Sequence, residues 1–319
     1  METIHVSDVY TTSQTYAGLD DPNEVLIFAI IDVIISLLGI PGNFLVIFAV
    51  SSSRKLQTST NFFVANLAFS DLVTCLTMPF HAFTILNGRP PSDIVCKLVG
   101  GVFSISVGVS IFNLTLIAFN RAYLITKPRS QYDQLYSRKN IALMLICNWV
   151  YVTLAVCVPP AFNIGALGYT RRYRVCITDI SHTMNFYYDL LKALLTAPFI
   201  LILILCYVCI YFEVRKTTNA SLHICNKNDQ LQQQMRKRQI AVTKNLFIIV
   251  CIYISCVAPF FIVSVQPSIY HVIPWVLELA LFNSCLNPFI YGFNHPQFKE
   301  VFSQALFCRF KKSIHLRGT

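Results

Sequence analysis

The sequence has few charged residues. Only 13% of its 319 residues are Asp, Glu, Lys or Arg, whereas a soluble domain carries about 25%. Glycine is also scarce, with 11 residues against 25 phenylalanines, which excludes a collagen-like or disordered chain. The net charge of +10 comes with too few charges in total to indicate a nucleic-acid-binding protein. The mean hydropathy of +0.57 and the 55% apolar content indicate an integral membrane protein.

Seven apolar runs are long enough to cross a bilayer. A crossing helix needs roughly 20 mostly apolar residues, and lipid offers no hydrogen bonds to an irregular backbone. The sequence therefore predicts an all-α membrane protein, with a seven-transmembrane helix bundle over residues 25–292. An N-terminal segment at 1–24 precedes it, and a tail at 293–319 follows. The seven predicted spans are 25–50, 61–86, 97–124, 139–162, 187–212, 243–267 and 271–292.

The basic residues predict the orientation of the bundle. Of the 25 Lys and Arg residues, 19 lie in the tail or in and immediately beside the three connections that follow spans one, three and five. The N-terminal stretch contains five acidic residues and no basic one. Because cytoplasmic loops are enriched in Lys and Arg, we expect an extracellular N-terminus and a cytoplasmic C-terminus in the plasma membrane, with membrane lipid as a partner.

Most of the 12 cysteines lie within spans, where Cys behaves as a small apolar residue. Cys96 and Cys176 instead lie on the predicted outer side, where the environment is oxidising. They either form a disulfide or remain two free thiols. Cys308 follows an amphipathic segment and is a candidate for palmitoylation. No Cys/His spacing predicts a metal site.

Several polar residues lie within the spans, where they are costly and usually functional. Asp71, near the middle of span two, is an ionisable group at a depth where a hydroxyl or amide from other spans can meet it. Such oxygens either bind a small cation such as Na⁺ or form a hydrogen-bonded network between helices. Asp32 and Glu278 are expected to face each other across spans one and seven, or to be satisfied by water. The residues of the predicted sodium network are Asn43, Asp71, Ser110, Asn283, Ser284 and Asn287.

Motifs along nearly the whole chain carry a resemblance to a known family. Each is weak alone, but all occur in the expected spans and in order, and Arg121 follows Cys96 by 25 residues. The chain resembles a rhodopsin-like (class A) G-protein-coupled receptor. The matching segments are Gly42-Asn43, Leu67-Ala68-Phe69-Ser70-Asp71, the pair Cys96 and Cys176, Trp149, Pro198, Cys256-Val257-Ala258-Pro259 and Asn287-Pro288-Phe289-Ile290-Tyr291.

The resemblance implies roles for these positions. In the family, the Asp71 position binds Na⁺ in the inactive state, which adds weight to the cation interpretation; the resemblance implies no other cofactor. The Arg121 position contacts a heterotrimeric G protein after helix six swings outward, and the Tyr291 position helps to hold that open state. Residues 298–302 resemble the short amphipathic helix eight on the inner leaflet. Without these motifs, Arg121 would be read as a terminal arginine snorkelling to the interface.

The chain departs from the family pattern around Arg121. Asn120 replaces the usual acid, Ala122 replaces the usual aromatic, and the inner end of span six contains no acid. Two ionic restraints on the inactive state are therefore missing, and we expect raised basal activity. In span six, Val257 replaces the family's tryptophan, so Phe260, Phe261 or Tyr253 is expected to take its place at the floor of the ligand pocket.

The sequence restricts the ligand without naming it. Span seven lacks the lysine that opsins use to bind retinal, and span three lacks the acid that amine receptors use. Melatonin receptors share an Asn before the span-three arginine, but their altered span-seven motif is absent. The expected pocket is apolar and aromatic, which favours a lipophilic or neutral small molecule. Its predicted residues are His81, Phe103, Ser104, Val107, Leu190, Leu194, Val257, Phe260, Phe261, Ser264, Leu277 and Leu281.

Other interpretations remain open at this point. Arg171, Arg172 and Arg174, just before Cys176, would attract an anionic or peptide ligand, or would be merely solvated. A transporter would show a polar path or inverted repeats, and none is evident in the sequence. An enzyme would show a catalytic constellation such as H-E-x-x-H, and the sequence contains none. A receptor-like scaffold that does not couple to G protein is the remaining alternative.

Overall fold

A computed structural model describes residues 19–220, 247, 250–256, 259, 272–294 and 296–306 of the chain. Within this part, six helices are long and apolar enough to cross a membrane. They correspond to predicted spans one to five and seven. Their bounds are Pro22–Ser52, Ser59–Asn87, Asp93–Thr126, Arg138–Ala161, Asn185–Ala220 and Ile273–Asn294.

Predicted span six is described only in part. Phe247, residues 250–256 and Pro259 are helical, and the rest of the predicted range 243–267 lies outside the described residues. Span five continues to Ala220, about two helical turns beyond its predicted end at residue 212. Apolar composition could not mark this end, because a helix continues past the bilayer wherever its backbone hydrogen bonds are still made.

Short polar side chains set the beginnings of four spans. Each accepts a hydrogen bond from a backbone N–H in the first turn, which satisfies a group that the helix itself leaves unpaired. Span two ends at Gly88, which adopts the left-handed conformation with φ of 66°, as is common after a helix C-terminus. The four N-capping residues are Asp21, Thr58, Ser92 and Ser137.

Hydrogen bonds and close helix contacts join the spans into one bundle. The Trp149 indole N–H of span four donates to Asn66 Oδ1 of span two at 2.9 Å. Asn66 in turn donates from Nδ2 to Asn113 Oδ1 of span three at 3.0 Å. Spans one, two and seven meet at Gly39, where an added Cβ would lie 2.2 Å from Cys75 Sγ and 3.3 Å from Cys285 Cβ. A side chain there would force these helices apart.

A two-stranded hairpin covers the end of the bundle that carries Cys96. Strand β1 is Leu167–Thr170 and strand β2 is Val175–Thr178, paired antiparallel with Tyr169 opposite Cys176. Cys176 forms a disulfide with Cys96 at the start of span three, so the predicted disulfide is confirmed and two free thiols are excluded. Gly100 allows this close approach, because a Cβ there would lie 2.9 Å from the Cys176 carbonyl oxygen.

The opposite end of the bundle carries two short helices. One, Arg129–Leu135, lies between spans three and four. The other, Pro296–Leu306, follows span seven and confirms the predicted helix eight; its Phe298 ring stacks on Tyr291 with 5.4 Å between ring centroids. Cys308, the predicted lipidation site, lies outside the described residues.

Candidate functional site

A buried polar cluster surrounds Asp71 in the middle of the bundle. Asp71 is fully buried. The Ser110 hydroxyl of span three donates to Asp71 Oδ1 at 2.8 Å, and Asn287 Nδ2 of span seven donates to Oδ2 at 2.7 Å. The hydroxyls of Ser70 and Ser110 are also 2.8 Å apart. Three spans therefore meet at one carboxylate.

The other members of the predicted sodium network lie around this core and differ in their contacts. Asn43 donates to the backbone carbonyls of Gly39 and Ser284, so it fastens span one to span seven by backbone contacts. The side-chain oxygens of Asn283 and Asn287 are buried and have no hydrogen-bond partner among the described residues. A carboxylate with spare amide and hydroxyl oxygens is a donor set that suits a hard cation such as Na⁺.

A cavity of about 280 Å³ lies between spans three, four, five and seven, with Tyr253 contributed by span six. Its walls are largely apolar, with a few polar groups, among them Ser104 and Thr196. The Ser104 hydroxyl is buried without a partner among the described residues. Five predicted pocket residues line it: Phe103, Ser104, Val107, Leu277 and Leu281.

Two pocket predictions in span five are wrong. Leu190 and Leu194 do not line the cavity, and these residues are 43% and 62% exposed. Lys192, Leu195 and Thr196 line it in their place, because positions three and four apart share one face of a helix. The prediction for His81 is also wrong, because His81 is buried away from the cavity lining, with its ring 4.9 Å from that of Phe103.

Span four supplies cavity residues that the sequence reasoning missed. Tyr151, Val152, Ala155 and Val156 all line the cavity. Their spacing of one, three and four residues follows one helical face, and this periodicity was the available signal. The remaining predicted pocket residues, Val257, Phe260, Phe261 and Ser264, lie outside the described residues.

At the end of the bundle opposite the hairpin, Arg121 is buried, with 5% of its surface exposed. It is therefore not a snorkelling terminal arginine. Tyr132, Tyr207 and Tyr291 lie close enough to its guanidinium to interact electrostatically. Tyr291 is itself buried, so both residues to which the family resemblance assigns coupling roles lie in one aromatic environment.

Asn120 has partners that the sequence did not reveal. It is fully buried. Its Oδ1 accepts a hydrogen bond from the Thr60 hydroxyl of span two at 2.6 Å, and its Nδ2 donates to the Tyr132 hydroxyl of the loop helix at 3.0 Å. The side chain that replaces the family's acid therefore joins spans two and three to the loop helix without any charge.

The hairpin turn concentrates positive charge at its end of the bundle. Arg171 is exposed, and Arg172 and Arg174 are partly exposed. The Arg174 guanidinium donates to the Ile85 carbonyl at the end of span two, at 3.3 Å. Burial raises the pKa of Tyr169 on β1, and the nearby Arg174 and Arg171 partly oppose that rise.

Comparison with known proteins agrees with this geometry. The family described as 7 transmembrane receptor (rhodopsin family) matches residues 42–291. The melatonin receptor type 1C of Xenopus laevis is 28% identical over 298 residues, covering 88% of this chain and 66% of the relative. A protein named rhodopsin, GQ-coupled, of Mizuhopecten yessoensis is 28% identical over 299 residues, covering 86% and 59%. The chain thus spans less than two thirds of the length of both relatives.

A solved structure shares the fold. The crystal structure of squid rhodopsin matches with a TM-score of 0.79 at 23% identity, covering 90% of this chain and 86% of that one. The family match extends from the first span to Tyr291, and within it lie the Asp71 cluster, the disulfide and Arg121. This multi-pass membrane protein therefore belongs to the rhodopsin family of seven-transmembrane receptors.

Proposed function

We propose that the protein is a receptor of the plasma membrane that binds an extracellular ligand and activates a heterotrimeric G protein. The single observation that supports this most is that the cavity and the Asp71 cluster share residues. Ser110, Asn283 and Ser284 line the cavity, and Ser110 also donates to the Asp71 carboxylate. A ligand in the cavity would therefore act directly on the groups that hold spans two, three and seven together.

The ligand that fits this cavity is a lipophilic or neutral small molecule. Its size and apolar walls suit a compact ligand that is buried on most sides, and Ser104 offers a hydroxyl that has no partner in the described part of the chain. The basic hairpin turn favours a second candidate, an anionic or peptide ligand steered to the extracellular face. Both candidates require the N-terminus and the hairpin to be extracellular, which the distribution of Lys and Arg supports.

Transduction would follow a shift between two states of the bundle. We infer that Na⁺ bound at Asp71 favours the inactive state, and that the ligand favours the active one by binding it more tightly. In the active state Arg121 would contact the G protein, and Tyr291 would stabilise the opened bundle. Asn120 supplies no charge to hold Arg121 back, which supports a raised basal activity.

A ligand screen in cells expressing the receptor tests this proposal, with cAMP and Ca²⁺ as readouts. Ala155→Trp places an indole in the cavity and should abolish the response to a small-molecule agonist without lowering surface expression. Arg121→Ala should leave ligand binding intact and abolish signalling. If Ala155→Trp leaves the response unchanged, the ligand binds elsewhere, as a peptide on the hairpin would. Ion flux through vesicles containing the protein would instead indicate a transporter, and ligand binding with no second messenger a non-coupling scaffold.

A further inference from the structure

Two carboxyl groups lie close together inside the bundle, and neither has a basic partner among the described residues. Asp32 of span one is 1% exposed and Glu278 of span seven is 7% exposed. Spans one and seven pack together on either side of them, at Phe28 and Trp275 and at Ile35 and Leu281, and the two carboxyls are close enough to interact electrostatically. Both oxygens of Asp32 and Oε2 of Glu278 receive no hydrogen bond from any donor in the described part of the chain. We call these two residues the acid pair.

The surroundings of the acid pair are apolar and aromatic. One helical turn further towards the hairpin end, Phe28 of span one contacts Trp275 of span seven, with 4.6 Å between ring centroids. On the other side, Ile35 is fully buried against Leu281 and the helix contacts around Gly39. The pair therefore lies between two layers of packed side chains, where charge is poorly screened.

The other titratable groups near the acid pair leave its charge uncompensated. Span two carries the buried His81, whose Nε2 has no partner among the described residues. The hairpin carries Arg174, whose guanidinium is bonded to the Ile85 carbonyl, about one turn beyond His81. Deeper in the bundle lie the Cys75 and Cys285 thiols and Asp71. Across the described ranges, neither Asp32 nor Glu278 forms an ion pair with a Lys or Arg.

Two ionised carboxylates cannot share such a position at low energy. Like charges in contact in a low dielectric repel strongly, and the usual outcome is that one group keeps a proton. A metal ion would need more ligands, and no group of three His, Cys, Asp or Glu able to hold one occurs in the described residues. Asp71 differs, because Ser110 and Asn287 donate to its two oxygens. The acid pair has no donor of this kind among the described residues, so a proton would supply the hydrogen bond.

We propose that Asp32 and Glu278 bind one proton between them and so form a proton site that couples spans one and seven. The proton comes from water and forms an O–H···O⁻ hydrogen bond across the helix interface, leaving one negative charge on the pair. Glu278 lies in the second turn of span seven, which starts at Ile273. Exchange of this proton with extracellular water depends on the orientation given in the proposed function. The presence of the proton between Asp32 and Glu278 does not depend on that orientation.

Infrared spectroscopy of the purified receptor in lipid nanodiscs tests the site directly. The Asp71→Asn background removes the third carboxyl that is buried in the described ranges, and a protonated carboxyl then gives a C=O stretching band separate from the carboxylate bands. We expect this band at neutral pH, and we expect it to disappear in both Asp32→Asn and Glu278→Gln. Asp93→Asn, which removes an exposed carboxylate of span three, is the matched control and should retain the band. The absence of a carboxylic acid band at neutral pH would overturn the proposal.

The pH dependence of thermal stability gives a second readout. Raising the pH removes the proton and leaves two charges in contact, so the melting temperature of the wild type should fall as the pH rises. Asn or Gln keeps an N–H donor at every pH, so either single variant should lose most of this slope, whereas Asp93→Asn should keep it. His81 is unchanged in all variants and contributes equally. An unaltered slope in both Asp32→Asn and Glu278→Gln refutes the proposal, and neither readout depends on ligand or G-protein coupling.

Discussion

Asn120→Asp tests whether the missing charge beside Arg121 sets the basal activity. The substitution changes the charge with little change in shape. The carboxylate still accepts the hydrogen bond that Thr60 donates at 2.6 Å, and the Tyr132 hydroxyl, 3.0 Å from the present amide nitrogen, turns round to donate. Both residues are already in place, so no backbone movement is needed.

The size of the effect follows from these two bonds and from the neighbouring guanidinium. A neutral hydrogen bond contributes about 0.5–1.5 kcal/mol, and one to a charged group about 1.5–3 kcal/mol. Two bonds therefore strengthen by about 2 kcal/mol together, and the adjacent Arg121 adds attraction. Burying the new charge at a fully buried position offsets part of this gain. A net effect of about 1.4 kcal/mol in favour of the inactive state lowers the active population about tenfold.

The assay is ligand-free cAMP and Ca²⁺ signalling in cells with matched surface expression of each variant. The wild type should signal above the background of untransfected cells, and Asn120→Asp should signal about tenfold less. Tyr132→Phe, which removes only one acceptor, is the control and should not lower the signal. The reasoning fails if the wild type is silent, or if Asn120→Asp signals as strongly as the wild type.

Two further substitutions test the packing of the bundle. Cys176→Ser removes the disulfide to Cys96 across a separation of 80 residues and should cost about 2–5 kcal/mol of stability, seen as a lower melting temperature; an unchanged value would mean that the hairpin is held by its other contacts. Gly39→Ala places a Cβ 2.2 Å from Cys75 Sγ and should cost about 1–3 kcal/mol. Adding Cys75→Ala should recover much of the lost stability. If stability is not recovered, the new Cβ clashes with an atom other than Cys75 Sγ.

Much of the architecture was predictable because the bilayer makes strong demands on a sequence. Apolar length marked the spans, and the cost of a carboxylate in lipid marked Asp71 as a residue that needs partners. The error at Leu190 and Leu194 has a physical reason. Both lipid and the cavity accept apolar side chains, so Leu190 and Leu194 carry no information about which face of span five they occupy. The polar residues Asp189, Lys192 and Thr196 follow one another at intervals of three and four residues, and Lys192 and Thr196 line the cavity. The signal for the cavity face therefore lay in the polar residues of the span rather than in its leucines.

The sequence shows which polar side chains are important more readily than it shows which residues they contact. Asn120 was noted as a departure from the family, but Thr60 lies 60 residues away in sequence and Tyr132 belongs to a short loop helix. Nothing in a single sequence states that these three meet. Asp32 and Glu278 were expected to face each other or water, and only the packing of spans one and seven shows how completely water is excluded.

The two acidic sites of the bundle differ in their hydrogen-bond donors rather than in their burial. Asp71 and the acid pair are similarly buried, yet only Asp71 receives hydrogen bonds from other residues of the described chain. A carboxylate with donors and spare oxygens suits a metal cation such as Na⁺, whereas two carboxyls without donors suit a proton. If both proposals hold, Na⁺ and H⁺ act at separate positions on span seven. Their effects on stability should then be nearly additive, as is usual for distant sites with no shared partner.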